Sequence, residues 1–262
     1  MNDIAPAQRL DRVLDRFEQL AIAVSGGVDS VTLAAFAHRK PGLAVTVIHA
    51  ASPAVPEEAT ARVRGLSDTE GWTTLVIGTG EFEDSRYRDN ASNRCYFCKT
   101  NLYDRIRTLT PHVIASGANL DDLGDYRPGL LAAAERQVVH PLIEAEMAKA
   151  DIRALSRELG LGSVAELPAQ PCLASRVETG IAIDARDLAF IEKAERHLAD
   201  IAASGVTLRC RITRSGVVLE LGDGVSAQKH LLVEITQRLC AEAGRVFVGA
   251  RPYSRGAMFM RP

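Results

Sequence analysis

Apolar residues recur along the first part of the chain in two alternating rhythms. Leu10, Val13, Leu14, Phe17 and Leu20 fall at helical spacing, which predicts an amphipathic helix ahead of the first strand. Short apolar runs follow at 21–24, 44–48, 74–77 and 113–115, with helical patterns at about 30–40, 57–70 and 96–108 between them. A βαβα series of this kind needs crossover connections. The expected fold class is therefore α/β: a mainly parallel sheet with helices on both faces and ligands outside the carboxyl ends of its strands.

The rhythm changes further on. Residues 160–183 are rich in Gly, Pro, Ala and Ser. Beyond them, 188–203 reads as helix, 208–212 and 217–221 alternate like antiparallel strands, 231–243 reads as helix and 245–248 as a last strand. The expected division is an α/β domain over 1–165, a linker over 166–183 that carries Cys172, and a small α+β domain over 184–262 for substrate binding or oligomerisation. No internal repeat or low-complexity tract interrupts this order.

Composition narrows the classes of partner. A chain of 262 residues can bury a core without disulfide staples. With 31 basic and 33 acidic residues the net charge is -2, so no overall positive field gathers nucleic acid, and a small-molecule substrate is expected. Met1-Asn2-Asp3-Ile4-Ala5-Pro6 has no basic segment leading into an apolar stretch, and no apolar run reaches the membrane-spanning length of about 18 residues, so the expectation is a soluble, cytoplasmic protein with no membrane partner. Five cysteines, an odd number, suit a reducing compartment better than a disulfide framework.

The most specific local chemistry is Ser25-Gly26-Gly27-Val28-Asp29-Ser30, directly after the first apolar run. Two glycines remove side chains where backbone must approach phosphate oxygens, and a helix starting near Asp29 directs free N–H groups and its positive dipole end at them. The Lys-tipped G-x-x-x-x-G-K-[ST] loop is absent, so this is another kind of phosphate cradle. The plainer alternative is a tight turn with Asp29 and Ser30 as helix caps.

A second constellation is made of thiols. Arg94-Cys95-Tyr96-Phe97-Cys98-Lys99 holds a C-x-x-C pair flanked by cations that favour thiolate, and a third cysteine stands in Pro171-Cys172-Leu173-Ala174-Ser175-Arg176. A structural zinc site takes four protein ligands, whereas a cubane cluster on three cysteines leaves one iron open. C-x-x-C also serves as a redox pair or half a zinc knuckle, and a lone cysteine is commonly a small buried hydrophobe. Cys210, inside a strand pattern, and Cys240, on a helix pattern, read as core residues.

The glycine loop resembles the PP-loop of the N-type ATP pyrophosphatases. Taken with 94–99, 171–176 and Gly117-Ala118-Asn119-Leu120-Asp121-Asp122-Leu123-Gly124-Asp125-Tyr126-Arg127-Pro128-Gly129, the chain resembles the LarE family of ATP-dependent sulfur transferases over nearly its whole length. The resemblance implies that a carboxylate of pyridinium-3,5-biscarboxylic acid mononucleotide is adenylated and that sulfur then replaces AMP, on the way to the nickel-pincer nucleotide cofactor. It implies ATP and Mg²⁺ as cofactors and a homo-oligomer. It also implies one of two sulfur sources. Either a [4Fe-4S] cluster held by Cys95, Cys98 and Cys172 carries an extra sulfide supplied by a sulfur donor, or Cys172 gives up its own sulfur; all three cysteines are here, which favours the cluster.

Residue by residue, Ser25, Gly26, Gly27, Asp29 and Ser30 are expected on the phosphates and Mg²⁺. The end of the second strand, including Ser52, is expected at adenine, with His49 a satisfied core histidine. Asn119, Asp122, Asp125 and Arg127 occupy a polar loop at the ligand side of the sheet, with solvated loop charges as the alternative. Lys99 and Arg176 follow ligand cysteines and suit contact with phosphate or acyl-adenylate, Arg176 being equally suited to an ion pair. By resemblance, Arg209, Arg211 and Arg255 grip a phosphate or carboxylate of the substrate, although two same-face arginines also suit a solvated sheet face, and the context of Arg255 departs from the family pattern. Glu192 and Glu195 are further carboxylates without an aligned role. Competing readings are a tRNA thiolation enzyme, which needs a basic face; an amide-forming synthetase, which has no use for an open iron; and a non-enzymatic nucleotide sensor.

Overall fold

The computed structural model describes residues 4–124, 127–202, 205–225, 227–254, 256 and 258. The chain forms two compact units, one of 1–81 with 95–170 and one of 82–94 with 171–262.

The first unit opens with α1 (Pro6–Leu14), then β1 (Gln19–Ala23), α2 (Val28–His38), β2 (Ala44–Ala50), α3 (Glu57–Glu70) and β3 (Thr73–Ile77). After α4 (Ser85–Arg88), which belongs to the other unit, come α5 (Arg94–Arg107), β4 (Val113–Ser116), α6 (Pro128–Glu135), α7 (Pro141–Glu144) and α8 (Lys149–Glu158). The strands make one parallel sheet in the order β3-β2-β1-β4. Strand order reverses between β1 and β4, so the crevice beyond their carboxyl ends is the natural ligand position.

Alternation along β1 distributes its side chains to two cores. Leu20 and Ile22 pack with Leu10, Leu14, Val31, Ile152 and Leu155, while Ala21 packs with Leu102, Tyr103, Ile106 and Ala133. The first helix ends at Leu14, shorter than the apolar stripe: Leu20 belongs to β1, and Phe17 in the turn packs against the same core. Periodicity did not separate helix from strand here because both bury the same residues.

The second unit adds α9 (Ala185–Ala199), β5 (Leu208–Thr213), β6 (Gly216–Leu221), α10 (Lys229–Glu242) and β7 (Phe247–Pro252). Its sheet has the order β5-β6-β7, antiparallel then parallel, with Leu198, Leu219, Leu232 and Ile235 in the core beneath. The segment 82–94 is held in this unit by Asn90, fully buried, whose side-chain amide donates to the carbonyls of Glu178 (3.0 Å) and Ile181 (2.8 Å). The architecture is thus α/β with a small mixed sheet toward the C-terminus, as the apolar rhythm indicates. Among the described residues no helix is long and apolar enough to cross a membrane.

Candidate functional site

The glycine loop runs from the end of β1 into α2. Gly26 takes a left-handed φ of 84°, and a Cβ there would meet the Ala59 carbonyl oxygen of α3 at 2.8 Å, so glycine answers both to conformation and to space. Ser30 Oγ closes the loop, accepting from the Ser25 N–H at 3.1 Å and donating to the Gly27 carbonyl at 3.2 Å. Among the described residues the Gly27 N–H has only a long contact to Ser25 Oγ, 3.4 Å, which leaves it available to an anion.

Asp29 lies in the first turn of α2. Its Oδ2 accepts from Lys149 Nζ at 3.3 Å, whereas Oδ1 is buried with no hydrogen-bond partner among the described residues. Burial raises the Asp29 pKa above the ordinary carboxylate value; Lys149 opposes the rise and the field of Asp122 adds to it. An orphaned carboxylate oxygen beside a phosphate-type loop fits a divalent cation.

The loop after β4 lies alongside. Ser116 is register partner to Ala23 of β1, and a Cβ on Gly117 would sit 2.6 Å from Ser30 Cα, so the two loops touch backbone to backbone. Asn119, 1% exposed, accepts at Oδ1 from the Asp121 N–H (3.0 Å), while Asp122 accepts from the Asn119 N–H (3.1 Å) and from Arg127 (2.8 Å). Asn119, Asp122 and Arg127 thus join one hydrogen-bonded loop beside the glycine loop; Asp125 lies outside the described residues. Ser52 caps its own turn, accepting from the Ala54 N–H at 3.2 Å, and lines an open pocket of about 370 Å³ with Ala51, Val55, Thr60 and Arg64. His49 is fully buried, with Nδ1 2.8 Å from the Val24 carbonyl and Nε2 2.9 Å from Thr60 Oγ1, and burial lowers its pKa. Its role is structural, tying β1 and α3 together at the start of the loop.

Three residues enter this neighbourhood that the sequence reading did not single out. Lys149 is one. Arg62 of α3 donates to the Gly26 carbonyl at 2.8 Å. His140 stands 2.8 Å from Ser116 Oγ with its pKa lowered by burial and within the field of Asp122 and Lys99. Their contacts span from 24 to 120 positions of sequence, so no local motif contains them.

The thiols divide by accessibility. Cys95 and Cys98, one turn apart on α5 in the first unit, and Cys172 in the second are partly exposed, whereas Cys210 and Cys240 are buried. Burial drives the Cys210 thiol far up from its ordinary pKa and raises that of Cys240, so both read as inert core residues. The three accessible thiols have the donor chemistry of an iron–sulfur or zinc site, but among the described residues no group of three His, Cys, Asp or Glu side chains stands assembled to hold a metal. Lys99 packs its stem by Gly129 and its ammonium 5.9 Å from the centre of the Tyr103 ring. Arg94 is 3% exposed and donates to the Ala174 carbonyl at 3.2 Å, which braces that turn.

In the second unit Arg176 departs from the expected phosphate contact. Its guanidinium is buried and engaged throughout, by Glu195 and by the carbonyls of Pro171 (2.5 Å) and Cys172 (3.1 Å). It positions the Cys172 turn. Glu195, which also accepts from the Cys210 N–H at 2.9 Å, is occupied in the same brace. The solvated-face alternative for Arg209 and Arg211 is likewise replaced: Arg211 is 5% exposed and pairs with buried Glu220 at 2.7 Å, Arg251 reaches the same carboxylate at 2.8 Å, and burial lowers the Arg209 pKa. Both Arg209 and Arg211 lie 6.0 Å from the Tyr253 ring. Arg255 lies outside the described residues. Glu192 sits partly exposed on α9.

No family model matches the chain. It is 34% identical over 206 residues to an uncharacterized protein, slr1717, of Synechocystis sp., covering 77% of this chain and 76% of that one. It is 27% identical over 201 residues to the pyridinium-3,5-bisthiocarboxylic acid mononucleotide synthase of Lactiplantibacillus plantarum, covering 75% and 72% of the two chains. An uncharacterized protein of Methanocaldococcus jannaschii, MJ0830, is 30% identical over 141 residues, 52% of this chain and 54% of its own.

Proposed function

We propose that the chain is a sulfur transferase of the LarE type, like the Lactiplantibacillus plantarum synthase to which it is similar, and that it uses ATP to thiolate a carboxylate of a pyridinium biscarboxylic acid mononucleotide. The substrate carboxylate attacks the α-phosphorus of ATP, giving an acyl-adenylate and pyrophosphate. A sulfur nucleophile then attacks the acyl carbon, AMP leaves with the C–O bonding pair, and the product is a thiocarboxylate.

In this reading the loop of Ser25, Gly26, Gly27 and Ser30 holds the β- and γ-phosphates, and Ser52 and its pocket receive adenine. Asp29 would hold Mg²⁺, which when bound offsets the charge developing on pyrophosphate. Asn119, Asp122 and Arg127, with Lys99 nearby, orient the reacting groups. Arg209 and Arg211 take a substrate anion. Cys95, Cys98 and Cys172 would hold a [4Fe-4S] cluster, whose chemistry when bound is an iron open to an extra sulfide.

The observation that carries the proposal is the segregation of thiols: the three cysteines of the sulfur-handling motifs are accessible while the other two are sealed in the core. The test is pyrophosphate release from ATP, dependent on the biscarboxylate mononucleotide, with the oxygen-to-sulfur exchange followed by mass spectrometry. Asp29→Asn is expected to reduce pyrophosphate release by about 100-fold. Release that ignores the dicarboxylate would sink the reading.

A further inference from the structure

We propose that Arg62 is the cation of the phosphate loop, orienting the Gly26–Gly27 peptide and contacting the β- and γ-phosphates that leave as pyrophosphate. The inference rests on the nucleotide reading above. The loop Ser25-Gly26-Gly27-Val28-Asp29-Ser30 carries no cation of its own, and its one charge, Asp29, is acidic and paired with Lys149. A polyphosphate bound there needs positive charge from elsewhere.

Arg62 is placed to supply it. Its Nη1 donates to the Gly26 carbonyl at 2.8 Å and to Gln170 Oε1 at 3.2 Å, both neutral acceptors. Nε and Nη2 have no hydrogen-bond partner, and no carboxylate lies within 4.0 Å, among the described residues; Glu58 acts on it only through its field. A half-buried guanidinium left without an acid carries a desolvation cost that an incoming anion offsets. The Gly26 contact also has a directional consequence. In a trans peptide the C=O and N–H point opposite ways, so fixing the Gly26 carbonyl toward Arg62 fixes the direction of the Gly27 N–H, the loop donor with only a 3.4 Å contact.

Helix α3 makes the geometry rigid. Ala59 backs against Gly26, and Thr60 is tied through His49 to the Val24 carbonyl, so Arg62 is carried on a wall already fastened to the loop at two other points. A flexible surface arginine would offer charge without direction. This one is registered to the peptide it orients.

The test compares binding of ATP, inorganic pyrophosphate and AMP to the intact protein and to Arg62→Gln and Arg62→Lys. Arg62→Gln is expected to weaken ATP and pyrophosphate by about 10- to 100-fold and AMP by less than about twofold, as the loss of a charge-assisted contact to the distal phosphates requires. Arg62→Lys, which keeps charge but not the planar fork, should fall between, and it serves as the working variant if Arg62→Gln melts early. Equal weakening of all three ligands, or full retention of pyrophosphate affinity, would overturn the inference while leaving ATP binding by the native protein intact. Failure of the native protein to bind ATP would overturn the nucleotide reading itself.

Discussion

Arg176 and Glu195 meet side-on, Nε to Oε1 at 3.1 Å and Nη2 to Oε2 at 2.9 Å, with side-chain exposures of 5% and 15%. The remaining guanidinium nitrogen holds the Pro171 and Cys172 carbonyls, so a carboxylate on α9 sets the pose of a thiol on a distant turn. Glu195→Gln leaves a buried guanidinium without its counter-charge, and a loss of about 3 kcal/mol in unfolding free energy is expected. In the proposed reaction thiocarboxylate formation should drop by about tenfold more than ATP–pyrophosphate exchange, since only the sulfur step uses Cys172. Equal losses in both steps would assign the pair to stability alone.

Gly117 permits the approach of the two loops. Its missing Cβ would fall 2.6 Å from Ser30 Cα and 2.7 Å from Ser30 N, contacts against backbone that no rotamer change relieves. Gly117→Ala is therefore expected to push Ser30 out of the position in which it closes the phosphate loop, with ATP affinity reduced by about tenfold or more and unfolding free energy reduced by about 1–3 kcal/mol. Gly124→Ala is the matched control, because a Cβ there meets nothing within 4 Å. Nucleotide titration and chemical denaturation of both variants check the contrast.

The strand–glycine turn–helix of 19–38 was legible because its parts are contiguous, and every feature that shapes it lies within one short run of sequence. The thiols were legible in part: spacing separated Cys95, Cys98 and Cys172 from Cys210 and Cys240, but it did not reveal that Arg94 is turned inward. What the sequence concealed is whatever folding brings together. Arg62 reaches Gly26 across 36 positions and Lys149 reaches Asp29 across 120, so neither leaves a local signature. Glu220 looked like an ordinary polar position in an alternating strand. Register sets it beside Arg209 on β5 and Arg251 on β7, where it becomes the buried acceptor for Arg211 and Arg251. The excursion of 82–94 into the second unit depends on Asn90 meeting carbonyls 88 and 91 positions away.

His49 and His140 give the protein a stability slope with pH. Burial lowers both below the ordinary value of 6.5, so the unfolded chain binds protons more readily than the folded one as pH falls through that value. Their stabilising contribution is complete above the unfolded pKa and is lost as the pH drops from there toward the folded pKa, where the neutral rings must take up charge. The denaturant midpoint is expected to fall between about pH 7.5 and about pH 5.5. His49→Gln should flatten that slope and, by weakening the contacts to Val24 and Thr60, cost about 1–3 kcal/mol at the higher pH. A midpoint flat across this range in the native protein would contradict the assignment.

The thiol chemistry is resolved by metal content. Protein purified without oxygen is expected to contain about four irons with matching acid-labile sulfide per chain, the stoichiometry of a cubane cluster. Cys95→Ala, Cys98→Ala and Cys172→Ala should each lose it, because three thiolates are the minimum set. Cys210→Ser is the informative contrast: that thiol is fully buried and held protonated by its surroundings, so its replacement should lower stability and leave the iron in place. Zinc in place of iron would turn the pair on α5 into a structural knuckle and bring back the amide-forming alternative. Metal-free protein that still forms one thiocarboxylate per chain, with Cys172 lighter by its lost sulfur, would make that residue the consumed sulfur donor. The positioning of its turn by Arg176 and Glu195 would then serve a cysteine that reacts once.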